Sequence, residues 1–143
     1  MRHINEEGLA LIKAHEGLEL KAYVCPAGVL TIGYGSTTAV TPGMTISQDE
    51  AEERLRHDLE RAEQCVERSI TGVVLTDNEF SACVSICYNI GCGAFSGSTL
   101  AKLLNAGDRE GAAQQFKRWD RGGGKILPGL TARRRDEAEL FTS

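Results

Sequence analysis

The chain has 143 residues, 41% of them apolar and 25% charged, with a net charge of −4. That length suits one domain with a sizeable core, and the composition excludes a disordered or fibrous chain. A run of about 18 apolar residues, the least that spans a bilayer, is absent, and Met1 to Gly8 has no apolar signal core, so work outside the cytoplasm would need another export route or an upstream segment.

Residues 5–15 predict a helix, with Leu9, Ile12 and Lys13 at helical spacing and Asn5 as its cap. Residues 19–36 alternate weakly and contain Pro26, Gly28, Gly33 and Gly35, the pattern of a small twisted hairpin or a three-stranded sheet. Thr41-Pro42-Gly43 is another turn. Ser47 and Glu50 form a capping box that opens a long helix to about Ser69. Its stripe of Ala51, Leu55, Leu59, Ala62, Val66 and Ile70 is narrow, which suits a helix bridging two lobes. Glu50–Arg54 and Glu52–Arg56 are spaced to pair on the other face.

Thr76 and Glu79 form a second capping box, before a helix through Phe80, Val84, Cys87 and Tyr88 that is apolar on several sides. This is the expected central buried helix, ended by Gly91, Cys92 and Gly93. Short helices follow over 98–105 and 108–119. Residues 121–125 (Arg-Gly-Gly-Gly-Lys) read as a flexible loop, and the last helix runs from Pro128 to about Phe141. One small sheet near the N-terminus followed by helices is an α+β pattern.

Charge is unevenly spread. Residues 1–100 hold 14 acids and 7 bases, whereas residues 101–135 hold 3 acids and 9 bases. Such a basic region suits an anionic polymer, either nucleic acid or bacterial cell wall; solvated helix faces are the plain alternative. Five cysteines are an odd number, so at least one is unpaired or pairs outside the chain. No cysteine pair shows a two-residue spacing and the three histidines are scattered, so no metal site is expected. Cys65, Cys83 and Cys87 read as small buried apolar residues. Cys92, in a glycine-rich turn, has no assignment.

The chemistry concentrates in Glu16, Cys25 and Thr31. An acid closes a helix, a thiol sits at a Pro/Gly turn, and a hydroxyl lies on a short apolar strand. Singly, each has an ordinary explanation: a solvated terminal acid, an inert thiol, a residue of high β propensity. Together they supply a proton donor and two groups able to hold a water, the minimum for cleaving an acetal. Gly33 and Gly35 leave open backbone beside the strand, where an extended ligand can lie close.

The segments Glu16-Gly17-x-x-Leu20-x-x-Tyr23 and Thr31-Ile32-Gly33-Tyr34-Gly35 resemble the phage-type lysozymes of glycoside hydrolase family 24. The resemblance continues through Asn89-Ile90-Gly91, Ser98-Thr99-Leu100, Lys117-Arg118-Trp119 and Gly129-Leu130-Thr131-Ala132-Arg133-Arg134 with Glu137, and so covers about residues 5–141. It implies one lysozyme domain of two lobes: a small lobe over about 15–50, a linking helix over about 47–69, and a helical lobe over about 70–143 with helix 5–15 packed on it.

It also implies an endolysin, a muramidase that hydrolyses the β-1,4 bond between N-acetylmuramic acid and N-acetylglucosamine in bacterial peptidoglycan, causing host lysis. The enzyme is expected to be a monomer that needs no cofactor, binds no nucleic acid, and acts on the cell wall after release from the host cytoplasm. Glu16 falls on the general acid and Thr31 on the threonine that helps hold the attacking water. Cys25 falls where most members carry aspartate, a departure that some endolysins share. Arg133 falls on an arginine able to approach the catalytic glutamate, and Tyr88, Arg133 and Gly35 are expected to contact substrate, with the 96–99 turn nearby. Arg133 and Arg134 otherwise read as a surface pair. A lytic transglycosylase, which also needs one glutamate, is the rival within the same chemistry; a non-catalytic glycan- or nucleic-acid-binding module is the rival outside it.

Overall fold

The computed structural model describes residues 1–143, which fold as two compact units. The smaller unit is Lys13–Glu60; the larger combines Met1–Ile12 with Arg61–Ser143. Two helices, α1 (Glu6–Glu16) and α2 (Gln48–Ser69), each pass through a boundary between the units.

In the smaller unit, β1 (Glu19–Val24) pairs antiparallel with β2 (Leu30–Gly33), with Tyr23 opposite Thr31 and Val24 opposite Leu30. The register slips between Glu19 and Tyr23, and single bridges join Lys21 to Thr45 and Ile32 to Ser36. The sheet is thus a two-stranded hairpin with fringes. Ile32, Tyr34 and Ile46 are buried, as are Ala51, Leu55 and Leu59 on this unit's part of α2. Gly33 has φ +69, and a Cβ there would stand 3.4 Å from that of Ala51, so glycine serves both conformation and packing. Arg54 does not pair with Glu50 as its spacing suggests; it donates to the carbonyls of Thr38 and Ala39, while Glu50 closes the Ser47 capping box.

In the larger unit, α3 (Asp77–Ile90) is the buried axis, starting at the expected Thr76–Glu79 box. Phe80, Cys83, Val84, Ile86 and Cys87 are all nearly inaccessible. The final helix, α7 (Pro128–Thr142), packs on α3. Between them lie α4 (Cys92–Ser96), α5 (Thr99–Asn105) and α6 (Arg109–Gln115), then a 3-10 turn over Phe116–Trp119. Phe116 and Phe141 meet with ring centroids 5.5 Å apart. Ala62, Val66 and Ile70 continue the buried stripe of α2.

Three expectations are corrected. The glycine-rich stretch after Trp119 is a hairpin rather than a flexible loop: β3 (Arg121–Gly122) pairs with β4 (Lys125–Ile126), and the positive φ of Gly123 and Gly124 makes the two-residue turn. Chain direction changes at Gly91, but helix resumes at once as α4. Cys65 is not a free apolar residue; it is disulfide-bonded to Cys92, with Cα atoms 5.9 Å apart. A separation of 27 residues, between a helix interior and a turn, carries no pairing signal.

Candidate active site

Glu16 is the last residue of α1. Gly17, at φ +74, donates its N–H to the Lys13 carbonyl and ends the helix. Lys13, one turn back, bonds Glu52 of α2, and its ammonium lies 5.8 Å from the Tyr34 ring centroid. That hydrogen bond and the Lys13 charge, with help from Arg56, hold the Glu52 carboxyl below its ordinary value. One basic side chain therefore ties the end of α1 to α2 and to the turn after β2.

That turn brings Glu16 to the hairpin. Ile32 and Ser36 exchange both backbone hydrogen bonds, and the Ser36 hydroxyl donates to Asp58 at 2.5 Å. Gly35, inside the loop, has φ +90, and a Cβ built there would lie 3.0 Å from Oε2 of Glu16. Glycine suits this left-handed backbone, and a Cβ there would also press on the carboxylate, which would have to give by a few tenths of an ångström.

Cys25 and Thr31 face each other near the hairpin tip. The Cys25 N–H donates to the Val29 carbonyl, the Gly28 N–H donates to the Cys25 carbonyl, and Cys25 is half-buried. Its thiol pKa is held below the ordinary value, first by the backbone amide of Val29, then by that of Ala27. The Thr31 hydroxyl adds a smaller pull against a desolvation that raises it. Thr31 is buried, and its hydroxyl also donates to the Val29 carbonyl at 2.9 Å. One hydroxyl proton cannot serve both acceptors, so thiol and carbonyl compete for it.

Glu16, Cys25, Thr31 and Gly35 thus share the smaller unit: Glu16 ends α1, Cys25 follows β1, Thr31 is on β2 and Gly35 is in the turn after it. Tyr88 and Arg133 belong to the larger unit, on the packed helices α3 and α7. Arg133 and Arg134 are no surface pair, for both are buried about a fully enclosed Glu137. Ser85 donates to Glu137 Oε2 at 2.5 Å, and Arg134 Nη2 donates to the same oxygen at 3.1 Å. Arg133 reaches it at 3.4 Å and the Ser85 carbonyl at 3.5 Å. Arg134 Nε lies 2.7 Å from Glu137 Oε1 without a well-aligned hydrogen bond. Burial pushes the Glu137 carboxyl up, while the guanidiniums and the Ser85 hydroxyl pull it back. Helical spacing in Arg-Arg-Arg-Asp-Glu signals ion pairs on α7, but not that they turn inward onto Ser85.

The larger unit also holds an open cavity of about 490 Å³ lined by Gly97, Ser98, Thr99, Gln115, Arg118 and Trp119. It includes most of the 96–99 turn, beside the Trp119 indole and the Arg118 guanidinium. No group of three or more His, Cys, Asp or Glu side chains is arranged to hold a metal ion.

The Phage lysozyme family model matches residues 13–137. An endolysin of Acyrthosiphon pisum secondary endosymbiont phage 1 is 46% identical over 145 aligned residues, covering 99% of each chain. Among solved structures, a P22 lysozyme mutant superposes with a TM-score of 0.93 at 36% identity, covering 100% of both chains. The muramidase domain of SpmX from Asticaccaulis excentricus superposes with a TM-score of 0.91 at 36% identity, covering 99% of both.

Proposed function

The chain belongs to the phage lysozyme family and is a lysozyme-type (muramidase) hydrolase, and from that premise we propose that it cuts the β-1,4 bond between N-acetylmuramic acid and N-acetylglucosamine in peptidoglycan. Glu16 is the proton donor, and Cys25 with Thr31 holds the attacking water. The observation that carries this reading is the seat of the Glu16 carboxylate against the side-chain-free Gly35, on the hairpin that also bears Cys25 and Thr31.

The chemistry follows in order. Protonated Glu16 donates to the glycosidic oxygen as that bond breaks, and positive charge builds on the anomeric carbon. Thr31 and Cys25 orient a water on the opposite sugar face. Its oxygen attacks the anomeric carbon, inverting the configuration, and its surplus proton passes to the Cys25 sulfur or to solvent. Glu16 is left as carboxylate and regains a proton from water. A depressed thiol pKa suits this role, because a larger thiolate share at neutral pH supplies an acceptor and a negative charge facing the cationic centre. Gly35 gives the glycan close access to backbone. Cleavage of the wall after release from the host cytoplasm then produces lysis.

Mass analysis of muropeptides released from purified wall tests the reading. Products ending in reducing muramic acid are expected. Anhydro-muramic ends would replace hydrolysis by transglycosylation, and absence of released fragments would leave only glycan binding.

A further inference from the structure

The β3–β4 hairpin belongs to the larger unit and carries none of the residues to which the cleavage chemistry is assigned. Lys117 and Arg118, just before it, are exposed and bond only the neutral side chains of Gln114 and Gln115. Arg121 and Lys125, on its two strands, are exposed as well. Several bases elsewhere have acidic partners, among them Arg2 with Asp77, Lys13 with Glu52 and Arg109 with Glu79. No acidic residue occurs from Arg121 through Arg135, and the nearest acid, Asp120, accepts from Thr131 at 3.4 Å.

Among these cations stand two large apolar side chains. Ile126 is 57% exposed, directly across the strand pair from Arg121, and Leu127, 41% exposed, folds over Gly122. The turn between the strands, Gly123-Gly124, has no side chains to hold a surface away. Charge alone would suit any polyanion. Exposed isoleucine and leucine interleaved with bases match a plane that is anionic outside and hydrocarbon just beneath.

We propose that the β3–β4 hairpin, with Lys117 and Arg118 behind it, is a docking surface for anionic phospholipid. Arg121 meets the headgroup phosphates while Ile126, across the strand pair on the same face, sinks to the acyl boundary; Lys125, next to the glycine turn, adds its charge at the tip. Docking is peripheral and reversible, since no helix is long and apolar enough to span a bilayer. It does not depend on the Glu16 chemistry.

Co-sedimentation with vesicles measures it in the absence of any glycan, using phosphatidylglycerol–phosphatidylethanolamine vesicles against phosphatidylcholine ones. Binding is expected only to the anionic vesicles and is lost at high salt. Lys125→Glu removes one positive charge and adds a negative one, and should weaken partitioning about thirtyfold. Ile126→Ser should weaken it about fivefold at unchanged charge. Both side chains are exposed, so thermal melts matching the parent are expected and confirm that the variants fold. Equal binding to both vesicle types, no binding to either, or indifference to both substitutions overturns the proposal. So does an Ile126→Ser protein that binds anionic vesicles as well as the parent does and is displaced by soluble polyphosphate, which marks a site for a polyanion.

Discussion

The two units handle charge in opposite ways. In the smaller unit, Glu16 and Cys25 remain half-open, and their neighbours act through single bonds such as Lys13 to Glu52 and Ser36 to Asp58. In the larger unit, Glu137, Arg133, Arg134 and Ser85 are buried together with almost no solvent contact. A group that must exchange protons with substrate and water has to stay reachable, and local donors then set its acidity. A buried cluster cannot serve that end, because losing one partner strands the others in a poor solvent. The smaller unit should therefore respond to substitution with lost activity, and the larger unit with lost stability.

The largest effect separates those outcomes most sharply. Glu16→Gln keeps the shape and the Gly35 contact but cannot donate a proton, so hydrolysis of wall should fall about 100- to 10,000-fold. The melting temperature should stay near that of the parent. A Glu16→Gln protein that clears wall normally would show that the donor lies elsewhere. Glu137→Gln should reverse the pattern, leaving two buried guanidiniums without a counter-charge at a cost of about 3–5 kcal/mol. Urea unfolding reads that loss directly, and a shift below about 1 kcal/mol would show the cluster to be as dispensable as a surface ion pair.

A third effect tests the larger unit through covalent structure. The Cys65–Cys92 disulfide closes a loop spanning 27 residues of sequence, and loop-closure entropy alone predicts about 3.5 kcal/mol of stabilisation. Cys92→Ser should lower unfolding stability by about that amount, and reductant should bring the parent protein to the same value. If reductant leaves the urea midpoint unchanged while thiol counting shows both sulfurs free, the disulfide contributes nothing. Activity measured well below the melting point should change little in either case.

What the sequence disclosed follows the range of the interactions involved. Helices were legible because caps and stripes are local: the Thr76–Glu79 box, the five stripe residues of α2 and Ile70 just beyond its end behave as their spacing says. Family membership was legible because its motifs run in order along the whole chain. The disulfide, the inward turn of Arg133 and Arg134 onto Ser85, and the pairing of β3 with β4 were not. Each depends on where distant segments arrive, and glycines at 122–124 look alike whether they make a loose loop or a tight turn. For the candidate site, residue types and their hairpin were readable. The role of Gly35 as a seat for the Glu16 carboxylate appears only with the fold, because nothing in a Gly-Tyr-Gly string indicates which group occupies the space a Cβ would fill.

The smallest effect concerns Cys25 and sharpens the comparison within one element, the thiol. Cys25 is half-buried and its pKa is lowered, first by the Val29 backbone amide. Cys87 is buried, which pushes its thiol up to about 11, and burial drives the Cys83 thiol higher still. With Cys65 and Cys92 joined, an alkylating reagent applied to the folded protein near neutral pH should modify Cys25 alone. Only thiolate reacts, and a lowered pKa means the thiolate forms at lower pH than in an ordinary cysteine, so the rate should reach half its plateau below the ordinary thiol value. Thr31→Val removes the hydroxyl donor and should move that midpoint upward, though by less than loss of the Val29 amide would. Hydrolysis should follow the same order: Cys25→Asp, which installs a carboxylate, should stay active, whereas Cys25→Ala should lose most activity. An alkylation midpoint at or above the ordinary thiol value would leave the sulfur a neutral water ligand, and Cys25→Ala equal to the parent would remove it from the reaction altogether.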